Sequence, residues 1–199
     1  MYQIFPDRFC FSGDKKENIY SDRVIRSDWG EKPMWDPDEE GRITKYDYFQ
    51  GDLKGIEQKL DYLAMLGIGC IYLNPIFESH SNHRYDTADY SKIDPLLGNK
   101  EDFESLCRKA HEKGIRIVLD GVFSHTGSDS VYFNKEKRYD SVGAYNSKKS
   151  PYFDWYKFKK YPKDYVCWWN VDIMPEISEE NDGYIEYITG IGELLLRVG

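Results

Sequence analysis

The feature that most constrains this chain is a grammar used twice: a helix-period apolar face, a glycine stop, then a short apolar strand-like run. Leu53, Ile56, Leu60, Leu63 and Leu66 recur at spacings of 3, 4, 3 and 3, which puts them on one helix face. Gly67 ends that helix, and Ile68 to Leu73 follows as a nearly continuous apolar run, the pattern of a strand covered on both faces, closed by Asn74-Pro75. The cycle then repeats. Asn99 is placed to cap a helix whose Phe103, Leu106 and Ala110 face inward, and Gly114 closes it before the run Ile115 to Asp120. An earlier run, Tyr2 to Phe5, reads as a first strand. Alternation of this kind predicts an α/β fold of parallel βαβ units, with helices packed outside the sheet.

The strand starts, near residues 2, 68 and 115, are too uneven for a solenoid and suit a βα barrel with loops of variable length. From Phe123 to Glu180 the grammar breaks. Aromatics, lysines, glycines and prolines cluster there, with only short strand-like pieces such as Asp164 to Trp169. A stretch that long inside one domain is usually functional. From Asp182 the helix period returns at Ile185, Ile188, Ile191 and Leu195, although Gly190 and Gly192 each cost about 1 kcal/mol of helix stability.

At 199 residues the chain is sized for one core. Its net charge of -8 repels phosphate backbones and anionic lipid, so nucleic-acid and membrane-surface partners are excluded as first readings. No apolar run approaches the roughly 20 residues that span a bilayer. Cys10, Cys70, Cys107 and Cys167 are widely spaced and contain no CxxC pair, which reads as ordinary thiols. With no basic-then-apolar leader at the N-terminus, the expected compartment is the cytoplasm.

Six segments, in order, resemble the α-amylase family of glycoside hydrolases, within it the neopullulanase, cyclomaltodextrinase and maltogenic amylase branch. They are Tyr2-Gln-Ile-Phe-Pro-Asp-Arg-Phe9, Gly51-Asp-Leu-Lys-Gly55, Gly67-Ile-Gly-Cys-Ile-Tyr-Leu-Asn-Pro75, Ser81-Asn-His-Arg-Tyr-Asp-Thr-Ala-Asp-Tyr90, Asp120-Gly-Val-Phe-Ser-His125 and Met174-Pro-Glu-Ile-Ser178. The resemblance implies a partial (β/α)8 barrel, its first three βα units, with a domain B inserted after the third strand. Residues 1–122 would carry the barrel strands and first helices, 123–180 the insertion and 181–199 the third helix. It also implies a parent enzyme that cleaves α-1,4 or α-1,6 bonds of starch-derived glucans, maltooligosaccharides or cyclodextrins with retention, and a homodimeric parent. The family's nucleophilic Asp and acid/base Glu would lie beyond Gly199, so no catalytic residue is assigned here. The alternative is a non-catalytic sugar-binding or scaffold protein on a degenerate barrel.

The residues that remain would form one wall of the pocket for the sugar whose bond is broken. Tyr85 matches the family's aromatic platform, and a flat ring suits the C–H face of glucose. His125, expected at the carboxyl end of the third strand, would bond a sugar hydroxyl through a ring nitrogen. Asp120 matches the carboxylate that orders the site and is expected to be unpaired in this chain. Several branch members bind calcium through positions that here read Asp14, Asn18, Gln50 and Asp52; hard oxygen ligands suit that ion, while Lys15 and Lys16 oppose it and leave open a plain solvated loop. Ser124 replaces the usual Asn of its motif, which speaks against a second calcium site there. His80 and His83 lack the glutamate and third ligand that a zinc motif needs. Trp168-Trp169 and the Tyr152 to Tyr156 stretch either roof a cleft or form the insertion's own core. No glycine pattern suggests a nucleotide cofactor.

Overall fold

The computed structural model describes residues 1–34, 36–37 and 46–198, with side chains as far as Glu193. In chain order its elements are β1 (Tyr2–Ile4), β2 (Val24–Ile25), β3 (Asp47–Tyr48), α1 (Leu53–Gln58), α2 (Leu60–Met65), β4 (Cys70–Leu73), β5 (Phe77–Ser79), β6 (Thr87–Ile93), α3 (Lys100–Glu112), β7 (Arg116–Leu119), β8 (Phe158–Lys160), β9 (Asp164–Tyr165) and α4 (Asp182–Val198). β1, β4 and β7 form a parallel sheet in that order, with Ile4 opposite Leu73 and Leu73 opposite Leu119. The βαβ reading therefore holds.

Boundaries and faces differ from the sequence expectation in four places. The helix over Leu53 to Leu66 is two helices, because Lys59 leaves helical geometry at φ -98° and ψ 3° and its N–H reaches only three residues back, to Ile56. The apolar face survives the break: Leu53, Ile56, Leu60 and Leu63 are buried, but Leu66, past the last turn, is half exposed. The run at β4 is not covered on both faces. Ile71 and Leu73 are buried with the helices, while Cys70 and Tyr72 on the opposite side are only partly covered. The Asp164 to Trp169 run is a strand only at β9; Cys167 keeps a single bridge to Pro175, and the chain turns at Trp168–Asn170, where Trp169 and Asn170 adopt positive φ. In α4, Ile185 is exposed while Tyr184, Tyr187, Ile188 and Ile191 face inward; the side chain of Leu195 lies outside the described residues.

Local signals explain why the helices sit where they do. Asn99 accepts from the Asp102 N–H, and the Asp102 carboxylate accepts from the Asn99 N–H, a reciprocal box that satisfies two orphan donors of α3. Asp52 caps α1 through the Gly55 N–H at 2.6 Å. Gly51 and Gly55 are required there for a different reason. Their backbones dock on residues 6–10, and a Cβ would fall 2.1 Å from the Pro6 carbonyl oxygen or 2.0 Å from that of Cys10.

Two cores result. One is aliphatic and lies between the parallel sheet and α1 to α3, built on Ile4, Leu53, Ile71, Leu73, Phe103 and Ile115. The other is aromatic and lies between the Phe123–Glu180 stretch and α4, with Tyr90, Tyr132, Phe133, Trp155, Tyr156 and Tyr184 at its centre. Buried aromatics of this size dominate packing energy. Three isolated antiparallel bridges, His125 with Glu176, Tyr156 with Ile177 and Cys167 with Pro175, stitch the Met174 to Ser178 segment across this second body.

Candidate functional site

The carboxyl ends of the three parallel strands lead directly to the site. Asn74 follows β4 and Asp120 follows β7, and Tyr85 reaches both from the loop before β6. The Tyr85 hydroxyl donates to the Asp120 carboxylate at 2.7 Å and accepts from the Asn74 side-chain amide at 2.9 Å. Asn74 in turn accepts from the Gln3 amide of β1 at 3.0 Å. One hydrogen-bonded line thus ties all three strands to the Tyr85 ring. Asp120, expected to be unpaired, is partnered by a residue of its own chain: an ionised carboxylate at a strand end attracts the nearest hydroxyl donor. Burial first, and then the Asp120 charge, push the Tyr85 phenol up to about 12, so it stays a proton donor at neutral pH.

Arg84, beside Tyr85, is wholly buried and holds a positive φ of 60°. Its guanidinium lies 3.2 Å from Asp94, which also receives Arg23 at 2.6 Å. Burial alone would raise the Asp94 pKa, but the two guanidinium charges outweigh it and hold the carboxyl below the usual range. This ion triad fixes the loop that carries Tyr85.

His125 is 3% exposed, its Nδ1 is 3.1 Å from the Ser124 hydroxyl, and its Nε2 is buried without a well-formed hydrogen bond. Burial lowers the imidazole pKa, against the Tyr85 backbone and the Asp86 and Glu176 carboxylates, so the ring is neutral at pH 7. A neutral imidazole carries one donor and one acceptor nitrogen, the inventory a sugar hydroxyl can match. The Glu176 bridge holds the His125 backbone in place.

Tyr85 and His125 line the same open cavity of about 500 Å³, together with Gly121, Val122, Phe123, Ser124, Trp168 and Met174. The Trp168 indole stacks on His125 with ring centres 4.9 Å apart. This resolves the open choice for the aromatics: Trp155 and Tyr156 are core, whereas Trp168 is cleft wall. Sequence reasoning missed Asn74 and Gln3 as positioning residues. Their one visible signal was a polar side chain at or next to the carboxyl end of an apolar strand.

Three of the four calcium candidates are already engaged by protein groups. Asp14 pairs with Lys54 at 2.7 Å, a bond that holds its carboxyl below the usual range. Asp52, buried, takes the Ser12 hydroxyl at 2.6 Å, with the Lys16 ammonium 3.6 Å away. Gln50 donates its amide to the Arg26 carbonyl, and Asn18 is exposed. Two ammonium groups already supply the positive charge that calcium would bring, so the donor set as arranged does not fit the ion. Among the described residues, no group of three or more His, Cys, Asp or Glu side chains could hold a metal. His80 faces Asp22 at 2.9 Å, and the His83 Nδ1 meets the Ser81 hydroxyl and the Tyr85 N–H. No helix is long and apolar enough to cross a membrane among the described residues.

Comparison with known proteins agrees with this geometry. Residues 3–179 match the α-amylase catalytic domain. The chain is 48% identical to an amylopullulanase of Thermoanaerobacterium saccharolyticum, over 91% of its own length and 16% of the relative's. It is 42% identical to a cyclomaltodextrinase of Thermoanaerobacter pseudethanolicus, over 99% of its length and 32% of the relative's. It thus spans a third or less of the curated relatives it matches. Among solved structures, cyclic α-maltosyl-(1→6)-maltose hydrolase from Arthrobacter globiformis, in complex with that sugar, superposes with a TM-score of 0.80 at 31% identity, over all of this chain and 41% of the other. Matched over most of its length by the family's catalytic domain, this chain belongs to the α-amylase family.

Proposed function

We propose that this chain supplies one wall of the sugar-holding site of a retaining α-glucan hydrolase, acting on α-1,4 or α-1,6 bonds of maltooligosaccharides, cyclodextrins or related glucans. The observation that carries the reading is the shared cavity: the Tyr85 ring, fixed by Asp120 and Asn74, and the neutral His125 imidazole line one space. A sugar there can rest its apolar face on the phenol and give or take a hydroxyl bond at the imidazole. The names of the relatives, amylopullulanase and cyclomaltodextrinase, support an α-glucan over other sugars. On the same reading β1, β4 and β7 are the opening strands of a (β/α)8 barrel, and 123–180 is its inserted domain B. Calorimetric titration of the chain with maltoheptaose and with cellopentaose tests the proposal. Heat with the α-glucan alone, weakened about tenfold in Tyr85→Ala, is expected; equal heats for both sugars, or none, overturn it.

Against the calcium expectation at Asp14, Asn18, Gln50 and Asp52, we propose that the Lys16 and Lys54 ammonium groups take the ion's place. Unchanged melting temperature in millimolar calcium is expected. A saturable rise lost in Asp52→Asn would establish the ion's site despite the two lysines.

A further inference from the structure

Large apolar side chains leave the surface when they can, yet Trp169 is 81% exposed. Its backbone holds φ 48° and ψ 30°, and Asn170 after it also holds a positive φ. That region is disfavoured for a bulky residue, so keeping the indole there costs conformational energy. Packing on one side of the ring offsets part of the cost. Trp169 lies parallel to Trp168, 2° between planes and 4.7 Å between centres, and Trp168 lies in turn on His125. The three rings form a ladder that starts at a buried imidazole in the cavity wall and ends at an indole in solvent.

We infer that Trp169 is a stacking platform for a glucosyl ring of the bound glucan that lies outside the cavity, and so a residue that sets how strongly chain length is rewarded. This rests on the reading of the cavity as an α-glucan site. The ladder sets the free face of Trp169 one ring beyond Trp168 of the cavity wall, within reach of oligosaccharide units that extend past Trp168. A single indole matches one sugar ring, while exposed Asn170 and Asp172 beside it offer acceptors to the hydroxyls at the ring's rim. A protein partner would need a contact of about 800 Å² per side. Trp169 with the partly exposed Val171 and Ile173 falls well short of that.

The test is calorimetric titration of the full chain with maltose, maltotetraose and maltohexaose, in the native protein, Trp169→Ala and Trp169→Phe, with circular dichroism to confirm folding. Trp169→Ala is expected to bind maltohexaose about tenfold more weakly, about 1.4 kcal/mol, and maltose within twofold of native, with Trp169→Phe recovering most of the loss. Unchanged affinity at every length overturns the inference while leaving the α-glucan reading intact. An equal loss at every length also overturns it, since Trp169 would then act only by supporting Trp168 and His125. If the native chain binds none of the three sugars, the underlying reading falls and this inference with it.

Discussion

Asp129 lies with its carboxylate 3.0 Å from the Arg138 Nε, and its pKa is still pushed up to about 7. Burial is the largest cause, and the neighbouring Asp86 and Glu136 charges add to it against Arg138. These groups share a small polar cavity of about 80 Å³ with Tyr46 and His80. Because the folded pKa is raised, the contribution of Asp129 to stability is complete below about 4, the unfolded value, and is lost as pH climbs through 7. His80 works in the opposite sense. Burial lowers its pKa, so its contribution is present above about 6.5 and is lost as pH falls. Comparing Asp129→Asn with native protein separates the two. The variant's melting temperature should exceed native by several degrees at pH 8, with the advantage vanishing at pH 4; the full shift corresponds to at most about 4 kcal/mol. The same difference at both pH values would mean that Arg138 holds the carboxylate ionised throughout.

At the scale of elements, what sequence makes legible is whatever is governed by near neighbours. The capping box at Asn99 and the stops at Gly67 and Gly114, both at positive φ, need only adjacent residues to act, and they were readable as written. Tertiary approach is not readable in that way. Gly51-Asp-Leu-Lys-Gly55 looks like a helix entry, but the glycines are set by the backbone of residues 6–10, more than forty positions earlier, through the Gly51 N–H to Asp7 and Asp52 N–H to Cys10 bonds at 3.0 Å. Gly55→Ala should therefore cost about 3 kcal/mol, since backbone on both sides has no room to yield. At this chain length that is about 10 °C in melting temperature. Gly190→Ala in α4 serves as the contrast: nothing lies within 4 Å of its Cβ position, so the substitution should stabilise by about 1 kcal/mol. Equal effects of the two substitutions would refute the close-approach account. Trp169 shows the other limit, because two successive residues at positive φ carry no glycine to announce them and the strand expected there turns instead.

For the whole molecule, the site is legible in its residues and not in its connections. Tyr85, Asp120 and His125 could be named from sequence, but the line from Gln3 through Asn74 and Tyr85 to Asp120 exists only once three strands lie side by side in the order β1, β4, β7. That line also decides what the chain can do by itself. Retaining glycoside hydrolysis requires two carboxyl groups about 5 to 5.5 Å apart, one to attack and one to protonate the leaving oxygen. The described residues lining the cavity include no carboxylate, and the partly exposed Asp120 beside them is engaged by the Tyr85 hydroxyl. Binding and turnover should therefore separate: the 199-residue chain should take up maltoheptaose yet release no glucose or maltose from it above a buffer control. Chromatography of the sugars after prolonged incubation reads this directly. Asp120→Asn prepared in parallel identifies any contaminating amylase, because a contaminant's product would persist in the variant. Product formed by the native chain and absent from Asp120→Asn would show that a complete carboxylate pair assembles from these residues, and the one-wall reading would have to be abandoned.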